Sequence, residues 1–256
     1  MNVILRLRNK KGILVLILLS ILVTGCAENK ALVKKKSQAL ENLGNSLMQQ
    51  GDLRGGLQRL LEASKIDPEN ANIHNGLGLA YRDVRLYEKS IVHFKRALAL
   101  RPDFPEAQNN LGTLYLLLRE WDLALDCFQR AVSDILYKTP HFAYNNMGLA
   151  YYNKGDYQKA IENYQKALRS FPAYSLCYEN LARAYEATNS FQAAIESYDK
   201  SITYAPNYPT PHLYLARLFL RLDRNEEAAK ELRLTMEIDP DGPYGNEAKR
   251  LLEDIE

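Results

Sequence analysis

Cysteine is scarce in this chain, and the common motifs of catalytic chemistry are missing from it. The 256 residues include one tryptophan and three cysteines, namely Cys26, Cys127 and Cys177. No HExxH, CxxC or glycine-rich phosphate loop occurs. The histidines are scattered, at His74, His93, His141 and His212. The sequence therefore predicts a protein that is not an enzyme and that has no cofactor, no metal and no small-molecule substrate.

The chain also lacks a strong charge of either sign. Its formal net charge is +2. Four of its 33 basic residues lie before residue 12, which leaves 29 basic against 31 acidic residues in the remainder. A nucleic-acid-binding domain favours a clustered basic surface. Nucleic acid is therefore not an expected partner.

The apolar run near the N-terminus is too short to span a bilayer comfortably. It covers 13–23, includes Ser20 and follows four basic residues, which is typical of an export signal over 1–25. The next residues, Val23-Thr24-Gly25-Cys26, resemble a bacterial lipobox. The resemblance implies cleavage before Cys26 and lipid on its sulfur, and two or more acyl chains make such an anchor stable. The alternatives are an ordinary signal peptide with a chance cysteine, or an uncleaved anchor.

From residue 37 to residue 242 the sequence repeats one unit of 34 residues six times. The units are 37–70, 71–104, 105–140, 141–174, 175–208 and 209–242. Position 8 is always glycine or alanine, as at Gly112 and Ala182, and position 20 is always small, as at Ala160. The unit resembles the tetratricopeptide repeat, a helix–turn–helix of this length. The expected fold is an all-α solenoid of six such repeats, in which the small residues let helices A and B approach closely.

The segments around the repeats have separate predictions. Residues 26–36 form a lipidated tether, although an early start of the first helix at residues 31–36 is equally compatible with the sequence. Two extra residues between repeats three and four, within 133–140, predict a local change in stacking. Residues 243–256 are expected to form a capping helix with Asn246 as its N-cap. Cys127 and Cys177 lie two repeats apart, so we expect buried free thiols and no disulfide.

One side of helix A remains for binding. In tetratricopeptide repeats, positions 2, 5, 6, 9, 12 and 13 line the concave groove, so the resemblance identifies this set as a partner-binding face. Its amides can pair with the backbone of an extended segment, and they are Asn42, Asn75, Asn109, Asn110, Asn145, Asn146 and Asn180. The other candidates form an apolar floor and a charged end, namely Leu79, Leu116, Phe142, Leu149, Tyr152, Arg183 and Arg217. The alternatives are asparagines that only follow the repeat consensus and apolar residues covered by neighbouring helices.

The order of lipobox, short tether, six repeats and end cap resembles the PilF/PilW family of type IV pilus pilotins, which are lipoproteins of Gram-negative bacteria. The off-register stretch 131–137 is similar to that family's extended junction between repeats three and four. The resemblance implies an outer-membrane lipoprotein, facing the periplasm, that binds secretin subunits and assists their assembly. Ala27 after the lipidated cysteine fits outer-membrane sorting. The alternative is a general periplasmic adaptor lipoprotein that brings cell-wall enzymes or proteases together.

Overall fold

The computed structural model describes residues 31–255, and these form an all-α tetratricopeptide-repeat fold. The leader, Cys26 and the residues up to 30 lie outside the described residues. The first helix, α1, covers 31–49, so residues 31–36 are helical in the described chain. The remaining helices are α2 Leu53–Ile66, α3 Ala71–Asp83, α4 Tyr87–Leu100, α5 Pro105–Leu117, α6 Trp121–Ser133, α7 Pro140–Asn153, α8 Tyr157–Ser170, α9 Ser175–Ala187, α10 Phe191–Tyr204, α11 Pro209–Arg221, α12 Asn225–Ile238 and α13 Pro243–Glu253. No helix within this part of the chain is long and apolar enough to cross a membrane.

The chain divides into two compact units, of which the first ends at Ala107 and the second begins at Gln108. In the first unit α3 packs on α4, and one core cluster surrounds Leu60, Ile73 and Leu77. In the second unit each helix A, α7, α9 or α11, packs on the helix B that follows it. This pairing is the helix–turn–helix unit that the 34-residue period predicts.

The closest approach inside a repeat joins positions 8 and 24. A Cβ atom added to Gly112 would lie 2.6 Å from the Phe128 ring, and one added to Gly148 would lie 2.5 Å from the Tyr164 ring. The predicted contact of helices A and B through small residues is therefore confirmed. The sequence analysis missed the large partner at position 24, which is fully buried in all six repeats, as Leu60, Phe94, Phe128, Tyr164, Tyr198 and Leu232.

Every helix A ends in the same turn. The residue at position 15 has a positive φ in each repeat, whether it is glycine, as at Gly51 and Gly155, or another residue. The amide after it donates to the carbonyl five residues earlier, for example Glu120 N to Tyr115 O at 2.9 Å. This bond satisfies a carbonyl that the helix end leaves open. The turn fixes where helix B begins.

The junction between repeats three and four is a short turn between α6 and α7. Asp134 organises it, because its side chain accepts from Leu136 N at 2.8 Å and its carbonyl accepts from Tyr137 N at 3.1 Å. Tyr137 is buried, whereas Ile135 is 96% and Leu136 80% exposed. The two extra residues therefore place two aliphatic side chains in solvent.

The C-terminal helix α13 covers the last repeat, as the repeat pattern predicts. Its Ala248 and Leu252 pack with Leu213 and Leu232 of α11 and α12. The prediction that Asn246 is the N-cap is wrong, because α13 begins earlier, at Pro243. The Asp239 carboxylate caps it instead by accepting from Tyr244 N at 2.9 Å. Proline at the first position suits a helix start, since it has no amide hydrogen to leave unpaired.

Candidate functional site

The side of helix A that faces away from helix B is narrower than the sequence predicts. Positions 9, 12 and 13 are half-buried or exposed in all six repeats, as at Leu149 and Tyr152. Position 5 is buried or half-buried in every repeat, and it includes the buried Asn145 and Glu179. At Asn145 and Glu179 position 5 is therefore closed, whereas Asn75 and Asn109 are only half-buried at that position. Positions 9, 12 and 13, which are open in every repeat, form what we call the inner face.

Several of the predicted asparagines bond to the protein itself. Asn180 Nδ2 donates to Asn145 Oδ1 at 3.1 Å, and these two residues are only 7% and 4% exposed. Asn145 Nδ2 in turn donates to Asn146 Oδ1 at 3.4 Å, and Asn146 Nδ2 donates to Thr113 Oγ1 at 3.3 Å. These bonds connect α9, α7 and α5. Asn145 and Asn180 therefore hold repeats together and do not offer free amides to a partner.

The other asparagines differ in their surroundings. Asn42 is exposed and accepts from Gln38 Nε2 at 3.2 Å. Asn75, Asn109 and Asn110 are half-buried. The Oδ1 atom of Asn109 is buried without a hydrogen-bond partner among the described residues. The predicted ladder is thus not a uniform row of open amides.

The apolar candidates remain accessible. Leu79, Leu116, Leu149 and Tyr152 are half-buried. Phe142 is exposed but lies apart from positions 9, 12 and 13, since it begins an aromatic cluster at the start of α7. Its ring is 5.7 Å from that of Tyr174 in an edge-on contact.

In the second unit the inner face contains a cleft of about 380 Å³. The predicted residues Tyr152, Arg183 and Arg217 line it, and Tyr214 and Arg221 complete that side of the wall. The Arg183 guanidinium lies 5.3 Å from the centre of the Tyr152 ring and 5.8 Å from that of Tyr214. Such contacts are attractive because the ring face carries negative charge. They hold a cation in the middle of the cleft.

The arginines of the cleft differ in the acidic side chains that lie near them. Glu186 accepts from the Tyr198 hydroxyl at 2.6 Å and lies 3.6 Å from Arg221. Glu179 is buried, and burial raises its pKa to about 6, although the charge of Arg183 lowers it in part. One carboxylate oxygen of Glu179 has no hydrogen-bond partner in the described chain. Its place in the repeat, position 5, puts Glu179 among the predicted groove residues, but the sequence does not show that it is buried.

The first unit has its own cleft, of about 500 Å³. Polar amides and a few apolar side chains line it, including Asn45, Met48, Asn75 and Leu79. Glu41 closes one side, and burial raises the pKa of its carboxyl. This cleft suits a segment that offers hydrogen-bond donors and small apolar groups.

The histidine and cysteine side chains of residues 31–255 are dispersed over several repeats. No group of three histidine, cysteine or acidic residues there could hold a metal ion. Cys127 and Cys177 are buried and form no disulfide with each other, as predicted, and burial raises the pKa of the Cys177 thiol. His74 and His212 bond to side chains of helix B, to His93 at 3.0 Å and to Glu231 at 2.7 Å. His74, His93 and His212 are thus part of the packing between helices A and B.

These features define a class: a tetratricopeptide-repeat scaffold with an accessible inner face. Sequence comparison agrees with it. Family models described as tetratricopeptide repeat match residues 103–173, 145–210 and 187–255, and one described as TPR repeat matches 44–83 and 87–118. The chain is therefore a tetratricopeptide-repeat protein.

Two solved structures share this fold over most of the chain. PilF of Pseudomonas aeruginosa is 20% identical with a TM-score of 0.75, covering 86% of this chain and 99% of that one. PilW, described as a widely conserved type IV pilus biogenesis factor, is 21% identical with a TM-score of 0.77, covering 83% and 98%. At these identities the likeness shows the fold alone.

Curated relatives match shorter parts. The lipoprotein NlpI homolog of Haemophilus influenzae is 30% identical over 149 residues, which are 56% of this chain and 46% of the relative. The BBSome complex member BBS4 of Bos taurus is 26% identical over 125 residues, 49% of this chain and 24% of the relative. The chain thus spans less than half the length of these curated relatives.

Proposed function

We propose that this protein is an envelope lipoprotein that holds a segment of a partner protein on its inner face. The observation that carries the proposal is the accessible side of α7, α9 and α11. Leu149, Tyr152, Arg183 and Tyr214 leave apolar, aromatic and cationic surface open there. Aromatic residues and arginine are enriched where proteins bind proteins. The protein acts as a scaffold and carries out no reaction of its own.

The anchor is the lipid on Cys26. Support comes from the apolar run and the sequence Val23-Thr24-Gly25-Cys26, and from a relative that is itself described as a lipoprotein. Four residues, 27–30, lie between Cys26 and residue 31, where the chain is already helical. An extended chain reaches about 3.5 Å per residue. The first repeat therefore works close to the membrane surface, facing the periplasm from the outer membrane.

The specific role we favour is that of a pilotin, with a secretin subunit of the type IV pilus as the partner. Its support is the fold that this chain shares with PilF and PilW over more than four-fifths of its length. The off-register junction after α6, with Ile135 and Leu136 exposed, fits the same resemblance.

Deletion of the gene in the bacterium that encodes it tests the pilotin role. We expect assembled secretin to disappear from the outer-membrane fraction and the wild-type gene to restore it. Cys26→Ala should restore a folded protein without restoring outer-membrane secretin, and Leu149→Asp should fail at binding. Glu162→Lys, on the exposed side of α8, is the matched control and should behave as wild type. Normal secretin assembly in the deletion strain would rule out the pilotin role.

A second candidate is the general periplasmic adaptor, which the similarity to the NlpI homolog favours. In that case the partner that binds the wild-type protein, and does not bind the Leu149→Asp variant, is a cell-wall enzyme or a protease. If a secretin binds the wild-type protein and not the Leu149→Asp variant, the result decides against the adaptor.

A further inference from the structure

Three arginines enter the cleft of the second unit. Arg183 comes from α9, and Arg217 and Arg221 come from α11, one helical turn apart. Arg183 and Arg217 occupy position 9 of consecutive repeats, so they lie on the same side of neighbouring helices. The cleft thus combines cationic groups with the rings of Tyr152 and Tyr214.

Arg183 differs from the other two. Arg217 forms an ion pair with Glu247, and Arg221 lies 3.6 Å from Glu186. Among residues 31–255, no carboxylate lies within ion-pair distance of the Arg183 guanidinium, whose contacts are with the two tyrosine rings. The two ring contacts are with the charge of the guanidinium and do not pair its N–H groups with a carboxylate. The N–H edge of a guanidinium matches the two oxygens of a carboxylate.

The adjacent buried acid does not fill this role. Glu179 lies one turn before Arg183 on α9, yet one of its oxygens has no hydrogen-bond partner in the described chain. An ion pair with Arg183 would have satisfied it. The guanidinium therefore points its donors elsewhere, and the cleft is the open space beside it.

The two existing ion pairs do not close the cleft to a ligand. The side chains of Arg217 and Arg221 are about half exposed. Exposed ion pairs contribute little to stability, since water competes for both charges. A ligand carboxylate can therefore approach the exposed parts of Arg217 and Arg221 while Glu247 and Glu186, which are only 28% and 21% exposed, stay in place. The two glutamates disfavour a continuous polyanion such as nucleic acid.

We propose that this cleft binds an acidic segment of the partner protein, with an aspartate or glutamate carboxylate between Arg183 and Arg217 and a neighbouring side chain against Tyr152 and Tyr214. The proposal rests on the proposed function, because it gives the chemistry of the segment that the inner face holds. Three guanidiniums over two repeats favour several side-chain carboxylates within the chain over a single C-terminal carboxylate.

Selection from a random library of 12-residue peptides with amidated C-termini tests the proposal. The mature full chain is the bait, in wild-type form, as Arg183→Gln/Arg217→Gln, and as the control Arg169→Gln, which replaces an exposed arginine of α8. We expect wild type and control to retain peptides enriched in aspartate and glutamate. The double variant should lose that enrichment while still retaining peptides bound elsewhere on the inner face. Circular dichroism and the melting temperature verify its fold.

The affinity of one selected peptide supplies the second measurement. We expect at least a tenfold loss when its acidic residues become amides, and a similar loss with Arg183→Gln. The two losses should not add, because both remove the same contact. Arg183→Lys should bind with intermediate affinity, since it keeps the charge but not the planar fork. If the loss of affinity from both changes together equals the sum of the two separate losses in free energy, the proposal is overturned.

The library separates failure of this inference from failure of the proposed function. Binding that Leu149→Asp abolishes, but without acidic enrichment in the wild-type pool, leaves the scaffold function standing and rejects the acidic segment. Enrichment that persists in Arg183→Gln/Arg217→Gln rejects the site. Enrichment only in a parallel library with free C-termini rejects the internal segment in favour of a terminal carboxylate. No retained peptide in any pool contradicts both proposals.

Discussion

Single residues in the turn between helices A and B carry backbone strain in some repeats and not in others. Position 15 has a φ of 61° at Arg85 and 62° at Arg119, whereas Gly51 and Gly155 occupy it in two other repeats. A residue with a Cβ atom pays about 1 kcal/mol or more for this left-handed conformation, and glycine does not.

Arg119→Gly should therefore stabilise the protein by up to about 1 kcal/mol, with part of the gain offset by the greater freedom of glycine in the unfolded chain. Gly155→Ala should destabilise it by a similar amount. Urea unfolding of both variants measures the two changes. If Arg119→Gly destabilises the protein as much as Gly155→Ala does, the proposed strain at position 15 is not there.

Glu179 makes stability depend on pH. Its folded pKa, about 6, is above the ordinary value of 4.5 because burial disfavours the carboxylate. The folded protein therefore holds a proton on this group between those pH values, and the unfolded chain does not. Stability decreases as pH rises through this window, by on the order of 2 kcal/mol.

Glu179→Gln should remove this dependence. We expect the variant to be more stable than wild type at pH 7.5 and of equal stability at about pH 3, since wild-type Glu179 is neutral in both the folded and the unfolded state only well below its unfolded pKa of 4.5. Denaturant unfolding across this range gives the comparison. A constant difference at all pH values would show that the carboxyl does not titrate as described.

At the scale of helices, the contact between α5 and α6 depends on the missing side chain of Gly112. Gly112→Leu should destabilise the protein by about 1–3 kcal/mol, because the added atoms overlap the Phe128 ring. Glu106→Leu, on the exposed side of the same helix, should change stability by less than about 0.5 kcal/mol. Equal melting temperatures for the two variants would mean that α6 can move away freely.

The link between α7 and α9 depends on one amide pair. Asn180→Ala leaves the buried Asn145 oxygen without its donor, and a loss of about 1–3 kcal/mol is expected. Asn42→Ala is the matched control at the same repeat position, and it is exposed. If the two variants unfold at the same denaturant concentration, the pair contributes nothing. The helical period alone predicts that both asparagines are binding residues that the fold can spare.

The sequence predicts helices better than it predicts the inner face, for physical reasons. Helices follow from a local period, and small residues at position 8, such as Gly148, recur in phase. Whether the side chain at position 5 is exposed depends on how the helices A of neighbouring repeats pack against each other. The local sequence pattern does not contain that information. The sequence therefore predicts Asn145 and Glu179 at the surface, whereas both are buried. The role of Arg183 depended on two rings from other repeats, Tyr152 and Tyr214, and spacing alone did not join them.

At the scale of the whole molecule, regular packing and binding share the same helices. In the second unit the face of helix A toward helix B is closed by residues such as Phe128 and Tyr164. The opposite face keeps Leu149 and Tyr152 accessible. Each repeat therefore leaves part of helix A available to a partner, which is the physical basis of the proposed scaffold.

Position-specific photo-crosslinking in the living bacterium tests this central claim most directly. A photoreactive amino acid replaces Leu149 on the inner face or, in the same repeat, the exposed Glu162 of α8. We predict that one partner protein crosslinks at Leu149, that Glu162 gives no such product, and that Arg183→Gln weakens the product at Leu149. Equal crosslinking of that partner from both positions, or crosslinking from Glu162 alone, would contradict the assignment of the inner face as the binding surface.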